Sequence, residues 1–168
     1  MRSIAAIARN PVSIALVAAL ALAGCANQKT VPNSAADLGL GGAGGPPGSQ
    51  QEFTVSIGDR IFFDTDSSLI RADAQGILSR QAQWLNKYTS YTITVEGHAD
   101  ERGTREYNLA LGARRAAAAR DFLVARGVAG NRIRTISYGK ERPVATCDDI
   151  SCWSQNRRAV TVLNGGNS

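Results

Sequence analysis

The chain has 168 residues, with 19 basic and 14 acidic side chains, one histidine, three cysteines and a formal charge of +5. That length suits one modest domain plus tails. No basic run is interleaved with aromatics, which argues against nucleic acid, and one histidine is too few for a histidine-built metal centre.

The first residues form no part of the domain. Arg2 and Arg9 give a positive start, and PVSIALVAALALAG is an apolar run shorter than a bilayer span needs. A basic start, a short apolar core and small residues at its end describe a secretory signal, placed at residues 1–24. The run closes on Leu-Ala-Gly-Cys, which resembles the lipobox of bacterial lipoproteins. That resemblance implies cleavage between Gly24 and Cys25, diacylglyceryl attachment to Cys25 and acylation of the new amino terminus. Two or more chains make a stable anchor where one is marginal. Ala26, rather than Asp, favours delivery to the outer membrane under the enterobacterial rule. Cleavage also removes two arginines and no acid, so 17 basic residues against 14 acidic leave a charge of +3.

Residues 25–52 are dominated by Gly, Pro, Ser and Ala without an apolar period, and predict a flexible tether. The folded domain is placed at 53–168. DRIFF (59–63) predicts a strand, and Asp64 to Ser68 carry turn chemistry. Ala74, Leu78, Ala82 and Leu85 predict a helix from about Arg71 to Tyr88. TITVEG (92–97) alternates as a strand. Thr104 then caps a second helix that ends near Arg126, before Gly127. RIRTISY (132–138) predicts a third strand, a loop with Gly139 and Pro143 follows, and AVTVL (159–163) is the last strand. Strands alternating with long helices require crossovers and a parallel pair. The expected fold is α/β, a two-layer sandwich of helices on a small mixed β-sheet.

Cys147 and Cys152 lie in TCDDISCW. In an oxidising compartment a local disulfide is the leading expectation, and a metal site is the rival. Catalysis finds no support. There is no Gly-x-Ser-x-Gly, no phosphate-cradling loop, and His98 near Asp100 reads as a structural histidine at a strand end. No cofactor is implied.

The charged stretch after the second strand is more informative. On a helical wheel Tyr107, Leu111, Arg115, Ala118 and Phe122 fall on one stripe, so Arg115 sits among apolar residues. An arginine there must snorkel or find a partner. Asp100 lies just beyond the strand. The two make a two-pole site, one for an ammonium and one for a carboxylate, as an amino acid requires. The alternative is that Asp100 pairs internally with Arg115 or with Arg102.

GHADERGTREYNLALGARRA resembles the signature of the OmpA-like peptidoglycan-binding domain family. FFD (62–64), SYGKERP (137–143) and QNRRAV (155–160) follow in the matching order. The resemblance implies non-covalent binding of the peptidoglycan stem peptide through meso-diaminopimelate. Arg115 would take the carboxylate and Asp100 the amine. Phe63, Asp64, Asn108 and Arg157 match positions that line the pocket, and Arg102 one that contributes a backbone contact. Lipid-anchored members of the family bind TolB and belong to the Tol complex, which holds the outer membrane to the wall during division. The Cys147–Cys152 loop is not general in the family, and the tether is unusually glycine-rich.

Overall fold

The computed structural model describes residues 44–165. The signal segment, Cys25 and the tether up to residue 43 lie outside the described residues. The elements are β1 (Arg60–Phe62), α1 (Ala72–Lys87), β2 (Thr92–His98), α2 (Arg105–Ala125), β3 (Ile133–Gly139), α3 (Ile150–Asn156) and β4 (Arg158–Asn164). The sheet order is β1-β4-β2-β3. β4 runs antiparallel to both β1 and β2, and β2 pairs parallel with β3. This is the expected mixed sheet.

Strand alternation divides the sheet. Ile61, Ile93, Val95, Ile133 and Ala159 join the core with Leu78, Leu85, Ala116 and Leu123 of the helices. α1 buries Ala74, Leu78, Ala82 and Leu85 as its spacing requires. It also buries Gln81, which donates to the Gly58 carbonyl at 2.6 Å and accepts from the Thr161 hydroxyl at 2.8 Å. Both ends of that amide are therefore satisfied.

α2 departs from the wheel. Its buried residues are Asn108, Leu111, Gly112, Arg115, Ala116, Ala119 and Leu123. Tyr107 is exposed, and Ala118 and Phe122 are only half-buried. The helix is rotated because it meets β2 through Gly112 and Ala116, where the two backbones come close. A Cβ on Gly97 of β2 would lie 1.8 Å from the Gly112 carbonyl oxygen, so only two glycines permit this approach.

Two further differences concern the ends. Ile150–Asn156, expected as loop and strand entry, is a helix whose cap is Asp149, accepting from the Ser151 N–H at 2.7 Å. Residues 44–52, which composition places with the tether, contact the domain. Gln50–Glu52 is a helical turn that runs into a π-helical stretch, Phe53–Gly58. Trp84 Nε1 donates to Glu52 Oε2 at 2.7 Å, and the Tyr91 hydroxyl donates to the Gly48 carbonyl at 2.8 Å. Phe53, Tyr88 and Tyr91 all pack on the Trp84 ring. The chain thus enters beside the start of β2, while the charged turn leaves from its end.

Candidate functional site

The turn after β2 is held by its own hydrogen bonds. Ala99 N–H donates to the Gly139 carbonyl at 2.8 Å, tying the exit of β2 to β3. Gly103 takes a φ of 87°, Thr104 caps α2 by accepting from the Tyr107 N–H, and Asn108 Nδ2 donates to the Arg102 carbonyl at 2.7 Å. Lys140 Nζ adds bonds to the Glu101 and Gly103 carbonyls at 3.1 and 2.7 Å. Asp100 is fixed by this scaffold and is buried.

Asp100 pairs with two guanidiniums, and neither belongs to Arg115. Arg102 donates through Nε at 3.1 Å and Nη2 at 2.7 Å, one bond to each carboxylate oxygen. Arg157 donates through Nη1 at 3.3 Å, and through Nε to the Phe63 carbonyl at 3.1 Å. Burial pushes the Asp100 carboxyl up, but the Arg102 bond and charge and the Arg157 bond outweigh it and hold it below the usual carboxylate range.

Arg115 has 0 % relative exposure, which makes it the largest fully buried side chain described. It donates to three carbonyls: Ser67 from Nε at 2.8 Å, His98 from Nη1 at 2.8 Å and Asp64 from Nη2 at 3.0 Å. Its guanidinium lies 5.2 Å from the centroid of the buried Phe63 ring. Among the described residues no carboxylate comes within 4.0 Å of it. Burial lowers its pKa to about 10, only partly offset by the nearby charge of Asp100.

A cleft of about 310 Å³ opens above these groups. Thr65 and Asp66 form one wall, and Asp100, Arg102, Tyr107, Asn108 and Leu111 the other. Arg115 lies one turn beyond Leu111 in α2 and is bonded to the Asp64 and Ser67 carbonyls on either side of Thr65 and Asp66. The Tyr107 hydroxyl donates to Asp66, joining two lining residues of the cleft, and Asp66 itself sits at a φ of 55°. A second hollow, about 350 Å³, is lined by Phe62, Phe63, Arg71, Ser154 and Arg157.

Each expected site residue is thereby placed. Asp100, Arg102 and Asn108 line the cleft, Arg157 reaches Asp100 from the neighbouring hollow, which Phe63 also lines, and Arg115 is buried against the Phe63 ring. The Asp64 carboxylate points away, to Arg71 Nη1 at 3.1 Å, and only its carbonyl serves the site. Sequence reasoning missed Ser67, Asp66 and Tyr107, whose parts depend on loop geometry. It also missed Trp153, whose ring lies 4.1 Å beneath the Arg102 guanidinium and whose Nε1 donates to Glu101. Cys147 and Cys152 are joined in a disulfide across the start of α3.

The family model of the OmpA family matches residues 62–157. The chain belongs to the OmpA family. Within it, the chain is 77% identical to a peptidoglycan-associated lipoprotein of Rhizobium meliloti (strain 1021), over 96% of this chain and 92% of that protein. It is 72% identical to the protein of that name from Brucella melitensis, over 98% of both. The crystal structure of the peptidoglycan-associated lipoprotein from Burkholderia pseudomallei superposes with a TM-score of 0.64 at 41% identity, covering 66% of this chain and 96% of that one. The C-terminal domain of Helicobacter pylori MotB shares the fold at a TM-score of 0.60 and 25% identity, covering 64% of this chain and 85% of that one. The chain sits with the peptidoglycan-associated lipoproteins of the family and is not an enzyme.

Proposed function

We propose that this chain is a lipoprotein of the outer membrane, anchored through Cys25, whose periplasmic domain binds peptidoglycan without a covalent bond. The ligand is the free amino-acid end of meso-diaminopimelate in the stem peptide. Asp100 takes its ammonium and Arg115 its carboxylate. Through TolB and the Tol-Pal system the domain holds the outer membrane to the wall and draws it in during division.

The observation that carries the reading is Arg115. A buried cation without an anion is costly, and this one is bonded to the Asp64 and Ser67 carbonyls, which bracket the Thr65 and Asp66 lining of a cleft that the Asp100 carboxylate also lines. Three of its five N–H groups are on carbonyls, so two remain for a ligand carboxylate. Two of those carbonyls belong to the Asp64–Ser67 loop, so a small shift of that loop opens the way. A scaffold reading, in which the charges only pair internally, has the Arg102 and Arg157 bonds to Asp100 in its favour.

Calorimetric titration separates the two. The probes are a diaminopimelate stem peptide and the same peptide with lysine, which keeps the ammonium and lacks the carboxylate. Charge-assisted hydrogen bonds are worth about 1.5–3 kcal/mol, so the lysine peptide is expected to bind roughly 10- to 150-fold more weakly. Equal binding of both peptides, or heat unchanged in Asp100→Ala, would leave the scaffold reading standing.

A further inference from the structure

Asp100 is not vacant. The position that an ammonium would take, bridging both carboxylate oxygens, is held by Nε and Nη2 of Arg102. Its two guanidinium partners differ in one decisive respect. The Arg157 side chain is 8% exposed and is also bound to the Phe63 carbonyl, whereas that of Arg102 is 41% exposed and reaches Asp100 from the solvent side. One cation is built in, and the other is free to leave.

A place for it to go is already prepared. The Arg102 guanidinium lies over Trp153, 4.1 Å from the ring centroid. Trp153 Nε1 holds the Glu101 carboxylate at the edge of the same ring. Sliding across that face carries Arg102 from Asp100 toward Glu101 without loss of its aromatic platform. Trp153 is in turn fixed by its neighbour Cys152, buried and bonded to Cys147.

We infer that Arg102 is a built-in competitor for the ammonium pole, that an incoming ammonium displaces it along Trp153, and that this exchange sets the affinity threshold of the site. The inference rests on the amino-acid-binding reading above. Its physical content is a balance of cations. The ligand's ammonium replaces one paired guanidinium on Asp100, so that exchange alone gains little, and net binding must come from the carboxylate at Arg115. An amine without a carboxylate therefore displaces the plug only weakly. In this account the Arg102 side chain opposes binding, and Glu101 and Trp153, which touch no ligand, assist it.

The test uses the full chain in detergent, titrated with the diaminopimelate and lysine stem peptides. The variants are Arg102→Gln, Glu101→Gln and Asp100→Asn, each checked by thermal melting. Arg102→Gln is expected to bind both peptides about 2- to 5-fold more tightly and by the same factor, the scale of a half-exposed ion pair. Glu101→Gln is expected to weaken both, because the displaced guanidinium loses its second anion. Ligand is also expected to alter Trp153 fluorescence in the wild type and not in Arg102→Gln. Weaker or unchanged binding by Arg102→Gln, with Asp100→Asn inactive, would overturn the competitor while leaving the binding site intact. Normal binding by Asp100→Asn would instead remove the amino-acid reading and the competitor with it.

Discussion

Arg115→Lys keeps the charge of the buried arginine and removes its shape. The guanidinium reaches three carbonyls on two separate elements, at 2.8, 2.8 and 3.0 Å. A lysine ammonium is a single point at the end of a narrower stem and can serve one of these, leaving two unmet. A buried acceptor without a partner costs about 1–3 kcal/mol. Water can reach the Asp64–Ser67 loop, so the total should lie near the lower end, about 2–4 kcal/mol. For a domain of this size each kcal/mol lowers Tm by roughly 3–5 °C, so a fall of about 6–20 °C is expected by calorimetry or circular dichroism. Amide hydrogen exchange in the 64–68 loop should accelerate with it. A Tm within about 3 °C of the wild type would refute the reasoning, since it would mean that the loop does not depend on the guanidinium fork.

Other outcomes follow from separate features. Gly97→Ala places a methyl 1.8 Å from the Gly112 carbonyl oxygen, a backbone atom that cannot swing aside, and should destabilise by about 3 kcal/mol or more in urea titration. His98 is buried, and burial followed by the charges of Arg158 and Arg142 lowers its pKa to about 4, despite Glu96 at 3.6 Å. The unfolded chain therefore binds this proton first, and stability should fall between about pH 6.5 and pH 4, by at most about 3 kcal/mol. His98→Gln should flatten that slope between pH 7 and pH 4.5, and an unchanged slope would assign it to other groups. A chain beginning at Phe53 forfeits the Glu52–Trp84 and Gly48–Tyr91 bonds, so its Tm should drop by several degrees relative to one beginning at Gly44. Identical melts would show residues 44–52 to be passengers.

The sequence carried the sheet, both long helices and the burial of Arg115, because these rest on periodicity. Alternation in TITVEG and the 4-4-3 spacing of Ala74, Leu78, Ala82 and Leu85 are direct consequences of packing on one face. The rotation of α2 was hidden because Gly112 and Ala116 are selected by closeness to Gly97, which hydrophobicity does not register. α3 was hidden because seven residues give less than two full turns of pattern. The partners of Arg115 were beyond reach for a different reason. They are backbone oxygens, and any residue at Asp64, Ser67 or His98 supplies one. The choice of Arg102 over Arg115 as the partner of Asp100 depends on which way the six-residue turn 99–104 folds, and charge spacing does not encode that.

The place where the chain enters has a mechanical consequence. Residues 44–58 are pinned beside the start of β2, at Trp84 and Tyr91, and the charged turn leaves its far end. Seven residues of extended strand separate the two points by roughly 20 Å. A pull between the amino-terminal side and anything held at Asp100 and Arg115 therefore runs lengthwise along β2, which is bonded to β4 on one side and β3 on the other. Tension in that direction loads the rungs of both ladders together, in shear, instead of opening them one at a time like a zip. The domain is strung along its doubly paired strand, as the link between membrane and wall proposed above would require.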